Sequence, residues 1–169
     1  GIVPRIKQLA IDNPQVGLAI SLHQSNDERR SSLIPINDKY PLNELLDACR
    51  YYIEKTNRRI SFEWALIVNQ TDQPEHAHDL GKLLKGILCH VNLIPLNPTN
   101  KFDGKPTNQE GVDAFIKILN SYGIPATSRM RRGIDIQAGC GQLSAAIKER
   151  NRLKSEVSSP LLNIDNIEI

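Results

Sequence analysis

Cysteine is sparse in this chain: Cys49, Cys89 and Cys140 stand 40 and 51 positions apart. That spacing excludes a disulfide-stapled fold and points to a reducing, cytoplasmic setting. It also matches no local iron–sulfur loop, whose cysteines fall a few residues from one another. Long apolar runs are missing as well, and nothing approaches the roughly 20 residues that cross a bilayer. No N-terminal stretch has the charged-then-apolar pattern of a secretory leader. Net charge is low, +2 from 21 Lys and Arg against 19 Asp and Glu. No global field therefore draws the chain to nucleic acid, and affinity of that kind must come from local basic patches.

What is present fits a soluble globular protein with one ordinary core: 169 residues, 40% hydrophobic and 24% charged. The apolar pattern alternates strands with helices, which argues for an α/β fold with parallel strands. Residues 3–11 read as a helix, followed by a strand over 16–22. Leu42 to Lys55 carries Leu42, Leu45, Leu46, Cys49 and Ile53 at helical spacing. Ile60 to Val68 is strand-like, and Pro74-Glu75 opens a helix with Leu80, Leu83, Leu84 and Ile87 as its stripe. A strand from His90 to Ile94 stops at Pro95. Thr107 is the expected cap of a helix that Gly123 ends. Residues 124–129 read as a strand and Gln142 to Arg152 as a last helix. Residues 1–152 thus form the expected domain, and 153–169, with Ser158-Ser159-Pro160, a tail. Three βα repeats and a closing strand are too few for an eight-fold barrel. A part-barrel with open strand edges is expected to be poorly stable alone.

The candidate chemistry clusters in short stretches. Cys140 lies between Gly139 and Gly141, so no neighbouring side chain crowds its sulfur. Arg129, Arg131 and Arg132 upstream favour thiolate over thiol, which makes Cys140 a nucleophile candidate; a small buried residue in a tight turn is the plainer alternative. Parallel β/α folds gather ligands at the C-terminal ends of their strands. Ser21-Leu22-His23 and Asn97 both fall at such ends. Arg29, Arg30, Arg129, Arg131 and Arg132 are candidates for RNA phosphates, or else solvated surface charges. His76 and His78, two apart on a helix, make a poor metal pair, and His90 and Cys89 alternate across a strand. Glu63 points opposite to Phe62 and Trp64, toward a barrel interior, where a carboxylate needs a partner.

Four stretches occur in the order of one known family: Ser21-Leu22-His23, Asn26 to Arg30 continuing to Leu33-Ile34-Pro35-Ile36-Asn37, Asn92 to Pro98, and Ile134 to Leu143. Together they resemble the RlmN/Cfr family of radical-SAM methyltransferases, RlmN more than the Cfr branch, over residues 1 to about 150. The resemblance implies the second half of a partial (β/α)6, TIM-like barrel, the C-terminal portion of a longer enzyme. It implies S-adenosylmethionine bound at Ser21, Leu22, His23 and Asn97, and a 4Fe–4S cluster whose cysteine ligands lie outside this chain. It further implies methylation of adenine C2 in 23S ribosomal RNA and in transfer RNA through an S-methyl group on Cys140. A flavodoxin- or ferredoxin-type reductant and a monomeric full-length enzyme follow from the same likeness. Gly139 and Gln137 depart from the alanine and aspartate common in the family at those places. On its own, the chain reads as an inactive portion; a truncated RNA- or cofactor-binding chain and a simple thiol enzyme built on Cys140 are the competing readings.

Overall fold

The computed structural model describes residues 1–96 and 105–129, all within one compact unit, Gly1–Met130. Four parallel strands, β1 (Ala19–Ser21), β2 (Ile60–Leu66), β3 (Cys89–Pro95) and β4 (Ala126–Ser128), lie in the sheet in chain order. Helices α1 (Val3–Asp12), α3 (Leu42–Thr56), α4 (Pro74–Leu84) and α5 (Gln109–Ser121) supply the apolar layer against them, and the short α2 (Asp27–Leu33) follows β1. Parallel neighbours with helical crossovers are the architecture that the strand–helix alternation predicts.

Strict period-two patterning in β2 and β3 decides which face is sealed. Ile60, Phe62, Trp64 and Leu66 alternate with half-buried residues, as do Cys89, Val91 and Leu93. These side chains share one core with Leu45, Cys49 and Tyr52 of α3, Leu80 and Leu84 of α4, and Phe115 and Leu119 of α5. Each large apolar side chain removed from water there contributes about 1.5–3 kcal/mol. Trp64 rests on Phe115, ring centres 6.1 Å apart, and its indole N–H donates to Thr71 O at 3.0 Å. Where α4 passes α5, Gly81 leaves no room for a Cβ, because the Tyr122 ring lies within 2.5–2.9 Å of where one would be.

Beyond shifts of one or two residues at element ends, the structure departs from the sequence reading in three places. The first strand is three residues long: Ala19 pairs with Ser61, Leu18 O still accepts from Ser61 N at 3.0 Å, and Val16 O is taken instead by the Tyr52 hydroxyl at 2.6 Å. The cap of α5 is Asn108, whose side chain accepts from Gly111 N at 2.9 Å; Thr107 instead donates to Asp72 Oδ2 at 2.8 Å. Helix α2 and the 3-10 turn Pro35–Asn37 fall in a stretch that the periodicity left unassigned. The helix of 142–152, the tail of 153–169 and the division at residue 152 lie outside the described residues.

Candidate functional site

The face of the sheet opposite the core carries a row of polar side chains, one from each strand. Parallel register sets Ser21 beside Glu63, Glu63 beside Asn92 and Asn92 beside Thr127. Asn92 Nδ2 donates to Glu63 Oε1 at 3.0 Å, which leaves Glu63 Oε2 with no protein donor among the described residues. His90 Nε2 lies 2.9 Å from Thr127 Oγ1 and 3.2 Å from Asn92 Oδ1. The expectation that Glu63 faces away from Phe62 and Trp64 and takes a partner holds. Asn92, that partner, lies in the stretch Asn92 to Pro98, where the sequence gives no separate signal for it.

At the C-terminal end of β1 the chain turns sharply. His23 adopts φ 57°, a left-handed conformation that few non-glycine residues take, histidine and asparagine more readily than most. Its Nδ1 accepts a hydrogen bond from Ala65 N–H at 3.0 Å, so Nδ1 is bare and a neutral ring carries its proton on Nε2. Burial, and after it the Arg30 guanidinium, hold the imidazole below its ordinary pKa, with Glu63 pulling the other way. Ser21 is exposed, Leu22 is fully buried, and Gln24 is buried with an Oε1 that meets no donor among the described residues.

Arg30 is not a surface contact for RNA. It is 1% exposed, and its guanidinium donates to Leu22 O (3.2 Å), Ser21 O (3.2 Å) and Asn37 Oδ1 (2.6 Å). Asn37, itself buried, passes the network on through Nδ2 to Asp27 Oδ1 at 3.0 Å, and Asp27 accepts from Leu42 N at 2.7 Å. A cation and an anion are thus joined through one amide. Burial lowers the Arg30 pKa, with Asp27 opposing. The signal was legible: Asn26 caps α2 by accepting from Arg29 N, Asp27 and Glu28 fill its first turn, and Pro35 follows its end. Arg29 and Arg129 are exposed, as a phosphate contact requires. Arg131, Arg132, Asn97 and Cys140 lie outside the described residues.

Among the described residues no three His, Cys, Asp or Glu side chains are set to hold a metal ion. Cys49 and Cys89 are buried thiols, pushed by that burial up to about 12 and about 11 respectively. They are protonated packing residues, so the described part offers nothing to an iron–sulfur cluster. His78 Nδ1 pairs with Tyr122 OH at 3.0 Å. S-Adenosylmethionine is different. An unpartnered buried acceptor on Gln24, the Ser21 hydroxyl, the His23 Nε2–H and a half-buried carboxylate on Glu63 suit a nucleoside with an amino-acid end.

No protein-family profile matches the chain. Curated proteins do. The dual-specificity RNA methyltransferase RlmN 1 of Myxococcus xanthus is 53% identical over 152 residues, 90% of this chain and 42% of its own length. The probable dual-specificity RNA methyltransferase RlmN of Caldanaerobacter subterraneus subsp. tengcongensis is 56% identical over 143 residues, 85% of this chain and 42% of its own. Among solved structures, a radical SAM methyltransferase from Sphaerobacter thermophilus superposes with a TM-score of 0.81 at 51% identity, over 84% of this chain and 42% of that one. A domain of the pyruvate-formate lyase-activating enzyme from Bacteroides vulgatus shares the fold alone, with a TM-score of 0.58 and 15% identity over 75% of this chain and 74% of that one. The chain therefore spans about two-fifths of the length of the curated relatives it matches. Over that span it is similar to RlmN proteins and to a solved radical SAM methyltransferase.

Proposed function

We propose that this chain is the part of an RNA methyltransferase that binds S-adenosylmethionine and carries the methyl-bearing cysteine, Cys140, with adenine C2 of ribosomal and transfer RNA as the target. The observation that carries the reading is the 53% identity to an RNA methyltransferase along nine-tenths of the chain. The polar strand ends described above supply chemistry that fits it. When bound, S-adenosylmethionine supplies the transferable methyl group. The Ser21 hydroxyl and the His23 Nε2–H suit ribose hydroxyls or a carboxylate, Gln24 Oε1 suits an ammonium or amine donor, and Asn97 offers both functions. The Cys140 thiol would lose its proton to solvent, helped by the positive charge of Arg131 and Arg132 nearby in sequence, and take the methyl group as a thioether, the sulfonium S–CH3 bond breaking to release S-adenosylhomocysteine. Arg29 and Arg129 are the described candidates for RNA phosphates. A one-electron donor of the flavodoxin or ferredoxin class and a cytoplasmic setting complete the proposal.

The test is the nucleoside composition of RNA from a host without adenine-C2 methylation, supplied with the intact protein as its gene encodes it. Mass spectrometry is expected to find 2-methyladenosine with the natural sequence and none with Cys140→Ala. Methylation that survives Cys140→Ala, or a methyl group at C8, overturns the reading.

A further inference from the structure

We infer that Arg30 is a positioning residue for the turn Ser21-Leu22-His23: its guanidinium, oriented by Asn37, holds the two carbonyls before His23 so that the imidazole keeps Nδ1 on Ala65 N–H and presents Nε2–H to the ligand. The inference rests on reading that turn as part of the S-adenosylmethionine site.

Three observations support it independently of the family. The guanidinium spends two of its donors on consecutive carbonyls, Ser21 O and Leu22 O, and a third on Asn37 Oδ1. A fork of this kind fixes a plane, which a single ammonium cannot do. Next, His23 sits at φ 57°, a conformation held only where its surroundings over-determine it. On one side Ala65 N–H holds the ring; on the other the Arg30 fork and the Leu22 O···Gln24 N bond (2.8 Å) hold the backbone. Finally, the charged groups that bear on His23 among the described residues are Arg30 from α2, which disfavours the imidazolium, and Glu63 from β2, which favours it. A protonated ring would carry hydrogen on Nδ1 and could not accept from Ala65 N–H. Arg30 therefore acts on His23 twice, through backbone geometry and through charge. An arginine with no role beyond packing needs no such alignment with the polar strand end.

The experiment compares the natural sequence, Arg30→Gln and Arg30→Lys in the intact protein, by two readouts. Ring 15N chemical shifts of His23 in cofactor-free protein report the clamp itself. Calorimetric titration with S-adenosylmethionine between pH 5.5 and 8 reports the site. In Arg30→Gln the titration midpoint of His23 is expected to rise, and affinity at neutral pH to fall about tenfold, the usual scale for lost charged hydrogen bonds. The acid-side loss of affinity moves to higher pH with it. Arg30→Lys keeps the charge and loses the fork, so affinity falls while the midpoint stays near that of the natural sequence. If the His23 ring titrates alike in all three proteins, the inference is overturned. A lowered melting temperature with unchanged midpoint and affinity assigns Arg30 to packing alone and overturns it too. Ser21→Ala and His23→Ala separate the two ideas: unaltered affinity in both, with a shifted His23 midpoint in Arg30→Gln, shows the clamp is real and removes the cofactor-site reading beneath it.

Discussion

The two faces of one sheet divide the work of this chain. On one, Ile60, Phe62, Trp64 and Leu66 of β2 lie fully buried under helices; on the other, one residue away in sequence, Ser61, Glu63 and Ala65 are half-buried and Glu63 joins a polar row across four strands. A period of two makes this possible: every second side chain enters the core, and those between line the polar face. The comparison teaches that adjacent positions in one strand carry opposite sensitivities. Substitutions on the covered face are expected to act on stability far more than those on the polar face.

The largest expected effect lies on the covered face. Trp64→Ala leaves a cavity beside Phe115 and strands Thr71 O, at a cost of about 3–5 kcal/mol in urea titration of the intact protein. A loss under ~1 kcal/mol would erase the distinction between the faces. Thr71→Val comes next. The hydroxyl of Thr71 donates to Ala65 O at 2.6 Å and accepts from Ile67 N at 2.9 Å, and the residue is 2% exposed. Valine keeps the volume and leaves both backbone groups unpaired, so about 1–3 kcal/mol is expected to be lost in the same titration.

Glu63→Ala sharpens the contrast from the other side. Only Asn92 Nδ2 loses a partner, and it stands on a half-exposed face where water replaces it. Stability is expected to change by less than ~1 kcal/mol. A loss as large as that of Trp64→Ala would mean that this face is sealed in the intact protein and that the row serves folding.

Much of this was legible because burial writes itself as periodicity. The alternation in β2 and the stripe Leu42, Leu45, Leu46, Cys49 located the core and its elements, and the strand-end position of Ser21-Leu22-His23 followed from the βα order. Arg30 was misread for a physical reason. Composition marks arginine as a surface residue, whereas this one is buried by a polar network, Asn37 and Asp27, assembled from residues seven and three positions away. No apolar period reports such a network. The Asn26 cap was its one local trace. The α5 cap was misplaced by one residue because Thr107 and Asn108 are both good caps, and Asp72, distant in sequence, claimed the threonine.

The smallest expected effect is a pH dependence that reads out the contest at His23. Folding lowers the His23 pKa through burial and Arg30, so the unfolded chain takes up a proton that the folded one resists. Stability is then flat above about pH 6.5, where both states are neutral, and falls as pH drops below it. His76, held down by burial and by Arg29, contributes in the same direction. His23→Asn isolates the first: asparagine tolerates a positive φ and retains an oxygen for Ala65 N–H, but it cannot titrate. Urea titrations at pH 7.5 and 5.5 are expected to show a smaller acid loss in His23→Asn than in the natural sequence. An acid loss of equal size in both would place the titration on other groups. If stability of the natural sequence instead rises toward acid while that of His23→Asn does not, the Glu63 carboxylate outweighs Arg30 and burial together, and the polar face of the sheet, rather than the clamp behind it, governs the charge of the imidazole.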